Sequence, residues 1–190
     1  MRLLVKTKDK NYPIYFGENN FLKIKKILIK HKINPKKLIV IYDKNIPKKI
    51  IIKFKSNLKD YKNIFLGLEF NEKLKNLNTV KRILDVLGKN NFSRNDCVIS
   101  MGGGIAGDIC AFAASIYKRG LKFVNIPSTL LSQVDSSIGG KTGVNNFIGK
   151  NMIGTFCQPN VVIVDIIFLK SLPKREVICG YAEILKHSLI

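Results

Sequence analysis

The sequence is short of acidic residues, and the shortage is uneven along the chain. Its 190 residues include 13 Asp and Glu against 33 Lys and Arg, a formal net charge of +20. Residues 1–100 hold 24 basic and 8 acidic residues, whereas residues 101–190 hold 9 and 5. Such an excess is compatible with nucleic acid, an anionic membrane surface or phosphorylated substrates. Nucleic-acid sites usually rely on arginine and stacking aromatic residues. Because arginine is scarce here, solvated lysine faces explain the charge better.

Paired cysteines and long apolar runs are also lacking. The four cysteines, Cys97, Cys110, Cys157 and Cys179, form no Cys-x-x-Cys pair. This spacing argues against a disulfide scaffold or a zinc knuckle and predicts reduced, mostly buried thiols. The longest apolar run, 161–169, contains an aspartate and is far shorter than the roughly 20 residues of a membrane-spanning helix. With no signal-like amino terminus either, we expect a cytoplasmic protein with no membrane partner.

Short apolar segments that alternate with helical patterns indicate the fold class. A hairpin is predicted over residues 2–15, followed by a helix that Asn20 caps and that runs to about His31. Further helices are predicted after Pro47, over 78–87, after the glycines that follow residue 101, and after Pro173. The predicted strands between them cover 38–42, 64–66, 97–101, 122–126 and 161–164.

This order predicts a Rossmann-like α/β fold with a largely parallel sheet and helices on both faces. We expect one α/β domain over residues 1–172. The helical pattern over 173–190 has no visible stop signal, so we expect it to be the start of a truncated, α-helical second domain.

A glycine-rich turn is the first motif with chemical meaning. Gly102, Gly104 and Gly107 fit G-x-G-x-x-G between a predicted strand and a helix, where the backbone can approach a pyrophosphate closely. The helix that follows offers unpaired N–H groups to an anion. The motif follows a late strand, and no acidic residue stands about 20 positions on to hold a ribose, since the first one after Asp108 is Asp135. A glycine turn that serves only close helix packing is the alternative.

A second motif, residues 134–143, joins glycines to Asp135 and Lys141, and Lys150 follows in another glycine turn. It is not a nucleoside-triphosphate loop, because Asp135 stands where that pattern needs glycine. Lysines near an aspartate suit an anionic, hydroxylated ligand, with the lysines as counter-charges to phosphate. Solvated loop lysines and a capping aspartate are the alternative interpretation.

A third motif, residues 180–187, places Glu183, Lys186 and His187 within one helical turn. A Glu and a His four residues apart can bind zinc, but two ligands do not make a site. An ordinary polar helix residue is therefore the favoured interpretation of His187, and His31 is assigned no role.

Taken together, these motifs resemble the 3-dehydroquinate synthase family. The resemblance is dense from residue 97 onward and thinner before it, where this chain has Asn71 at a position that is usually glycine in the family. The segments that carry it are 43–45, 72–80, 101–108, 119–120, 127–131, 134–142, 149–151, 158–159, 172–173 and 180–186.

The resemblance implies an NAD- and metal-dependent lyase that cyclises a phosphorylated seven-carbon keto acid by transient oxidation, loss of phosphate, re-reduction, ring opening and aldol closure. It implies NAD contacts from Asp43, Asn45, Glu72, Lys75, Gly103, Gly104, Ile105, Asp108, Ser128, Thr129, Lys150, Phe168, Leu169, Lys170 and Ser171. It implies substrate contacts from Arg119, Asp135, Lys141, Asn151 and Lys186, with Asp135, Lys141 and Lys186 catalytic. Glu183 would be a ligand of zinc or cobalt.

The family's two histidine metal ligands lie further along its chains, so we expect this chain to lack them and to be inactive alone. A homodimer without a nucleic-acid partner is expected. Two alternatives remain at this point. One is another sugar-phosphate cyclase or a polyol dehydrogenase of related fold. The other is a non-catalytic basic domain that binds nucleic acid, which would show salt-dependent DNA binding and no stabilisation by NAD.

Overall fold

The computed structural model of the chain describes residues 1–8 and 10–190 and contains one large sheet and a small hairpin. The predicted turn of the first hairpin includes Asp9, which lies outside the described residues. The strands are β1 (Arg2–Val5), β2 (Tyr12–Gly17), β3 (Lys37–Asp43), β4 (Lys62–Leu68), β5 (Cys97–Gly102), β6 (Lys122–Pro127), β7 (Lys141–Val144), β8 (Ile153–Phe156) and β9 (Val161–Asp165). The sheet order is β1-β2-β9-β6-β5-β3-β4, antiparallel only between β1 and β2.

Helices cover both faces of this sheet, as the alternating pattern predicts. They are α1 (Ile24–Lys30), α2 (Lys48–Asn57), α3 (Leu77–Lys89), α4 (Gly104–Ile116) and α5 (Lys174–Leu189). Helices α1 and α2 pack on one face around Phe21 and Phe54, whereas α3 and α4 pack on the other around Ile83 and Ile109. The Rossmann-like prediction is confirmed. Within the described residues, no helix is both long and apolar enough to cross a membrane.

The start of the first helix differs from the prediction. Asn20 is buried inside a 3₁₀ turn, Asn20–Lys23, and no side chain caps that turn from its own N-cap position. The carboxylate of Asp165, at the end of β9, instead accepts the backbone N–H groups of Asn19 and Phe21, both at 3.1 Å. Asp165 is fully buried, and unpaired N–H groups are costly in such a place. A distant residue therefore supplies the cap, which local sequence could not reveal.

The β7–β8 hairpin was not predicted from the sequence. Residues 141–144 were interpreted as a glycine-rich loop, but they form a strand that pairs with residues 153–156. Gly143 lies opposite Gly154, and a Cβ atom added at Gly154 would lie 2.8 Å from the Cα of Gly143. The glycines permit this close strand contact, and they also hide the alternating apolar pattern on which strand prediction relies.

Burial gives the four cysteines different reactivities. All four lie in the described part of the chain and are free, but only Cys97 and Cys110 are buried, so the expectation of mostly buried thiols holds for half of them. Burial raises the pKa of the Cys110 thiol to about 12 and also raises the pKa of Cys97.

We therefore expect a thiol reagent such as Ellman's reagent at pH 8 to label exposed Cys179 first and half-buried Cys157 more slowly. Cys97 and Cys110 should react only after unfolding. Peptide mapping of the labelled protein, with a sample in denaturant as the control, checks this. Native labelling of Cys110 as fast as Cys179 would contradict the packing described here.

Candidate functional site

A cleft of about 900 Å³ opens at the carboxyl ends of the parallel strands. Pockets that bind cofactors occupy 300–1,000 Å³, so this cleft is large enough for a dinucleotide. It lies between the end of β3 and the start of α4. At this point the strand order reverses: the chain passes from β3 to β4 toward one edge of the sheet, and from β5 to β6 toward the opposite edge. Open α/β sheets bind ligands at such a reversal of strand order.

The glycine turn between β5 and α4 forms one wall of the cleft, and space there is tight. A Cβ atom on Gly102 would lie 2.5 Å from the Cβ of Ala106, in the first turn of α4. A Cβ atom on Gly103 would lie 3.1 Å from the Cγ2 of Thr129. Gly102 therefore lets the helix begin directly at the strand end, and the first residues of the helix, Gly104, Ile105 and Ala106, line the cleft.

An acidic residue does line the cleft, although spacing after the glycine motif had indicated none. Asp43 ends β3, the strand beside β5, so it comes from before the motif and not from 20 residues after it. Burial raises the pKa of its carboxyl, and the hydrogen bond from the backbone N–H of Asn45 opposes this rise. The oxygens of Asp43 are placed to accept hydrogen bonds from hydroxyl groups of a bound ligand.

The cleft brings together most of the residues that the family resemblance assigns to NAD. Those lining it are Asp43, Asn45, Glu72, Gly103, Gly104, Ile105, Ser128, Thr129, Phe168 and Ser171. Five others are not part of its wall: Lys75, Asp108, Lys150, Leu169 and Lys170. The NAD-binding role of all fifteen stays a prediction.

Lys75 and Asp108 are partners in a buried ion pair. The Lys75 Nζ lies 2.5 Å from the Oδ2 of Asp108 and 2.6 Å from the Oδ1 of Asn151, and the side chain of Lys75 is only 7% exposed. Burial raises the pKa of Asp108, and the hydrogen bond from Lys75 opposes this. The ammonium thus links the segment before α3, the start of α4 and the turn before β8.

Lys150 and Glu72 form a weaker, exposed contact at the mouth of the cleft. Their charged atoms are 3.7 Å apart, and the amide of Asn145 donates a hydrogen bond of 2.8 Å to the Oε1 of Glu72. That hydrogen bond, followed by the charge of Lys150, lowers the pKa of Glu72. The neighbouring Asn71 has extended backbone, φ −148°, and its side chain caps the turn at 72–74. No glycine is needed at this position.

Helix α5 touches the cleft side of the sheet through a close contact at Gly180. A Cβ atom there would lie 2.5 Å from the Cβ of Leu130, so only glycine permits this approach. One turn further along, Glu183 and His187 face Asp135, which lies in a single π turn, Ser132–Ser136. The Lys186 ammonium contacts the Glu183 carboxylate, and this contact raises the pKa of Lys186.

The five residues predicted to bind substrate lie in four places. Asp135 and Lys186 flank Glu183, whereas Lys141 lies beside a small cavity of about 20 Å³ that Asp108 and Ser136 also line. Asn151 contacts Lys75. Arg119 follows the far end of α4, about 20 Å from the glycine turn at 1.5 Å per residue.

Sequence reasoning missed several residues of these sites. Ile46, Pro47, Phe70, Leu131 and Glu176 also line the cleft. The four apolar residues carry no signal of their own, because apolar residues at strand and helix ends resemble ordinary core positions. Glu176 resembles any acidic residue in the first turn of a helix. His187, interpreted as an ordinary polar helix residue, lies 3.6 Å from a carboxylate oxygen of Asp135, a contact that spacing within the helix does not indicate.

Comparison with known proteins identifies close relatives. The chain is 54% identical to the 3-dehydroquinate synthase of Pelagibacter ubique (strain HTCC1062), over 100% of this chain and 52% of the relative. It is 44% identical to that of Prochlorococcus marinus (strain AS9601), over 100% of this chain and 53% of the relative. The chain spans about half the length of the curated relatives it matches.

Solved structures share the fold over nearly the whole chain. A 2-deoxy-scyllo-inosose synthase determined with carbaglucose-6-phosphate, NAD+ and Co2+ superposes with a TM-score of 0.92 at 25% identity, covering 100% of this chain and 52% of that one. The 2-epi-5-epi-valiolone synthase ValA from Streptomyces hygroscopicus subsp. jinggangensis 5008, with NAD+ and Zn2+ bound, gives 0.83 at 28% identity, covering 96% and 50%.

The family model described as 3-dehydroquinate synthase N-terminal matches residues 66–179, more than half of the chain. That range contains the glycine turn, Asp135 and the β7–β8 hairpin, and it ends just before Gly180. By this match, the chain belongs to the 3-dehydroquinate synthase family.

Proposed function

We propose that this chain is the NAD-binding part of a 3-dehydroquinate synthase. In that enzyme, 3-deoxy-D-arabino-heptulosonate 7-phosphate is cyclised to 3-dehydroquinate with loss of phosphate. The observation that carries the proposal is the cleft at the start of α4, lined by the family's cofactor segments in a chain 54% identical to a named synthase. The structural relatives that act on other substrates are only 25% and 28% identical, which favours the dehydroquinate reaction over the other cyclases.

The proposed NAD site fits the cleft in size and in chemistry. The N–H groups at the start of α4 would bind the pyrophosphate, and Asp43 would accept hydrogen bonds from ribose hydroxyl groups. Thr129 and Ser128, which lie beside the glycine turn, supply further hydroxyl groups to the cleft. When bound, NAD supplies a reversible hydride acceptor, while the protein orients the reacting carbon and excludes water.

The proposed metal position is at Glu183. Its buried Oε1 is in contact with the Lys186 ammonium, so this oxygen already faces a positive charge and fits a cation. When bound, zinc or cobalt supplies polarisation of the substrate carbonyl and its neighbouring hydroxyl. Asp135 lies beside this position, where it would hold a substrate hydroxyl.

The proposed phosphate contacts come from lysines. Lys141 and Lys186 would balance the negative charge of the phosphate before it leaves, and Asn151 would donate an amide hydrogen bond to the substrate. Arg119 lies too far from the cleft of its own chain to join them. The substrate contact implied for Arg119 is therefore compatible with this geometry only if Arg119 reaches the site of a second copy of the chain, in the expected homodimer.

We also propose that residues 1–172 form the cofactor domain and that residues 173–190 start a helical second domain. Large apolar side chains of α5 support this division, because they are exposed and a soluble domain rarely leaves such a row uncovered. They are Ile178, Tyr181, Ile184, Leu185 and Leu189, which are 37% to 84% exposed.

A chimera tests the function directly. Residues 1–190 would replace the matching half of the Pelagibacter ubique synthase, with which they share 54% identity. We expect phosphate release from the seven-carbon substrate that requires NAD+ and falls by about 10²-fold or more when Lys141 becomes methionine, the size of effect that a preorganised charge supplies. A chimera that folds and binds NAD+ but releases no phosphate would contradict the proposal.

A further inference from the structure

Asn145 follows β7 directly and joins two segments that are far apart in sequence. Its backbone N–H donates to the carbonyl oxygen of Lys75 at 2.8 Å, and its side-chain Nδ2 donates to the Oε1 of Glu72 at 2.8 Å. Its Oδ1 accepts the backbone N–H of Asn151, also at 2.8 Å. The family resemblance assigns a role to each of these three partners but none to Asn145, which connects the proposed cofactor segment at 72–75 to the turn before β8.

The neighbouring Asn146 shows that the bonds of Asn145 are not needed to close the hairpin. The Oδ1 of Asn146 accepts the backbone N–H groups of Ile148 and Gly149, at 2.8 and 3.1 Å, and its own N–H donates to the carbonyl oxygen of Gly149 at 3.0 Å. Asparagine side chains commonly close turns in this way. Asn146 therefore holds the tip of the loop by itself, and the three bonds of Asn145 act on residues beyond that tip.

The backbone of Asn151 has to be held in place. It is left-handed, with φ +56°, a conformation that asparagine adopts more readily than most residues but that still costs free energy. Residues in such conformations persist where their surroundings fix them, often at ligand sites. Here the Oδ1 of Asn145 holds the N–H group of Asn151, and the Lys75 ammonium holds the side-chain Oδ1 of Asn151 at 2.6 Å.

The contact with Lys75 also fixes which way the Asn151 amide points. A lysine ammonium has only donors, so the atom that faces it must be the amide oxygen. The amide nitrogen of Asn151 therefore points away from Lys75. Because Asn151 is exposed, this donor is accessible to an anionic or hydroxylated ligand.

Glu72 in turn orients Asn145. Of the groups that lower the pKa of Glu72, the amide of Asn145 has the largest effect, ahead of the charge of Lys150. The Lys150 ammonium is 3.7 Å away and exposed, and such ion pairs contribute little. With its Nδ2 bound to Glu72, the amide of Asn145 presents its oxygen to Asn151. The hydrogen bonds thus run from the cofactor segment through Asn145 to Asn151.

We propose that Asn145 is a positioning residue that holds Asn151 in the conformation in which its amide meets the substrate. The inference deepens the proposed function and rests on it, because it takes Asn151 as a contact of the phosphorylated seven-carbon keto acid. Asn145 does not line the cleft itself, so its effect passes through Asn151. Its loss should therefore weaken substrate binding and leave the chemical step almost unchanged.

Hydrogen exchange of the Asn151 backbone amide, followed by NMR on the ¹⁵N-labelled chain, tests the contact directly. Asn145→Ala removes the acceptor, so exchange should become about two- to tenfold faster, the range that one net hydrogen bond supplies. Asn145→Asp keeps an acceptor oxygen, and the charges of Lys75 and Lys150 are near enough to act on Glu72 and to balance the new carboxylate. In this variant, exchange should stay within about twofold of the wild-type rate.

Kinetics of the chimera with the Pelagibacter ubique synthase separate a positioning role from a purely structural one. Asn145→Ala should raise the KM of the seven-carbon substrate by about two- to tenfold and leave kcat within about twofold, the pattern of a lost binding contact. Asn145→Asp should keep KM within about twofold of the wild-type value, because it keeps the acceptor. A purely structural defect would lower the amount of active enzyme, and therefore kcat and not KM.

The matched control is Asn160→Ala. The Oδ1 of Asn160 accepts the backbone N–H of Phe123 at 2.9 Å, so this change removes the same kind of hydrogen bond. Phe123 lies at the amino end of β6, whereas the cleft lies at the carboxyl ends of the strands. We expect Asn160→Ala to lower the urea midpoint about as much as Asn145→Ala does and to leave KM unchanged.

Two outcomes would overturn the inference: an Asn151 amide that exchanges as slowly in Asn145→Ala as in the wild-type chain, or a KM that Asn160→Ala raises as much as Asn145→Ala does. Circular dichroism confirms the folding of each variant. If Asn145→Ala does not fold, Asn145→Ser replaces it, since its shorter side chain falls short of the Asn151 N–H. The exchange measurement needs neither NAD+ nor turnover, so its failure counts against the role of Asn145 alone. A wild-type chimera that folds but releases no phosphate counts against the proposed function.

Discussion

The chain with Lys75 replaced by methionine is expected to lose about 3 kcal/mol of its free energy of unfolding, the low end of the 3–5 kcal/mol that a broken buried ion pair costs. The Lys75 Nζ lies 2.5 Å from Asp108, whose side chain is only 21% exposed. Methionine fills similar space but leaves the Asp108 carboxylate without its counter-charge. Urea denaturation of both proteins measures the difference.

The matched control is Lys81→Met, which removes an exposed lysine paired with Asp85 on the surface of α3. Exposed pairs contribute little, so this change should alter the free energy of unfolding by less than about 0.5 kcal/mol. Equal losses in the two variants would contradict the structural role given to the buried pair.

The loss of unfolding free energy in the Lys75→Met variant should also depend on pH. Burial already raises the pKa of Asp108, and the hydrogen bond from Lys75 opposes that rise, so removing Lys75 raises the pKa further. A carboxyl group whose pKa is higher in the folded state than in the unfolded state binds its proton more tightly when the chain is folded. Its contribution to the free energy of unfolding therefore increases as pH falls, and it is lost as pH rises through the pKa of the folded state. The deficit of the variant should therefore be smaller at about pH 5 than at pH 7.

Gly102→Ala is expected to weaken NAD+ binding by at least about tenfold, because it displaces the helix start that would bind the pyrophosphate. The added Cβ would lie 2.5 Å from the Cβ of Ala106, a distance at which α4 must move. Overpacking of this kind also costs about 1–3 kcal/mol of stability. Calorimetry with NAD+ and urea denaturation measure the two effects.

Gly88→Ala provides the control, since Gly88 lies within α3 and a Cβ atom there would meet nothing within 4 Å. Alanine in place of a helical glycine should stabilise the chain by about 0.5–1 kcal/mol and leave NAD+ affinity unchanged. If Gly102→Ala bound NAD+ as tightly as Gly88→Ala does, the glycine turn would have no part in the cofactor site.

The parallel sheet could be predicted because its strands are buried on both faces. β5 and β9 are continuous apolar runs whose residues are all buried, and such runs are easily read from sequence. The β7–β8 hairpin could not be predicted, because glycines at 143 and 154 replace the side chains that would show alternation. The cap of the first helix was equally hidden, since Asp165 is about 145 residues away in sequence.

Part of the candidate site could likewise be predicted from the sequence, and part of it could not. The glycine turn follows a buried strand and precedes a helix, so local sequence indicates an anion site there. Sequence alone could not show that Asp43 completes its wall, because pairing of β3 with β5 brings it there. Nor could it reveal that Asp135 lies beside Glu183 and His187, since α5 reaches the π turn through the close contact at Gly180.

Calorimetric titration of NAD+ into the chain tests the central claim most directly. We predict binding of one NAD+ per chain, and a rise in the unfolding free energy of about 2.7 kcal/mol when NAD+ is present at 100 times its Kd. In a chain of this size, that corresponds to a rise in Tm of roughly 5–11 °C, at 2–4 °C per kcal/mol. Absence of both binding heat and thermal stabilisation at millimolar NAD+ would contradict the account.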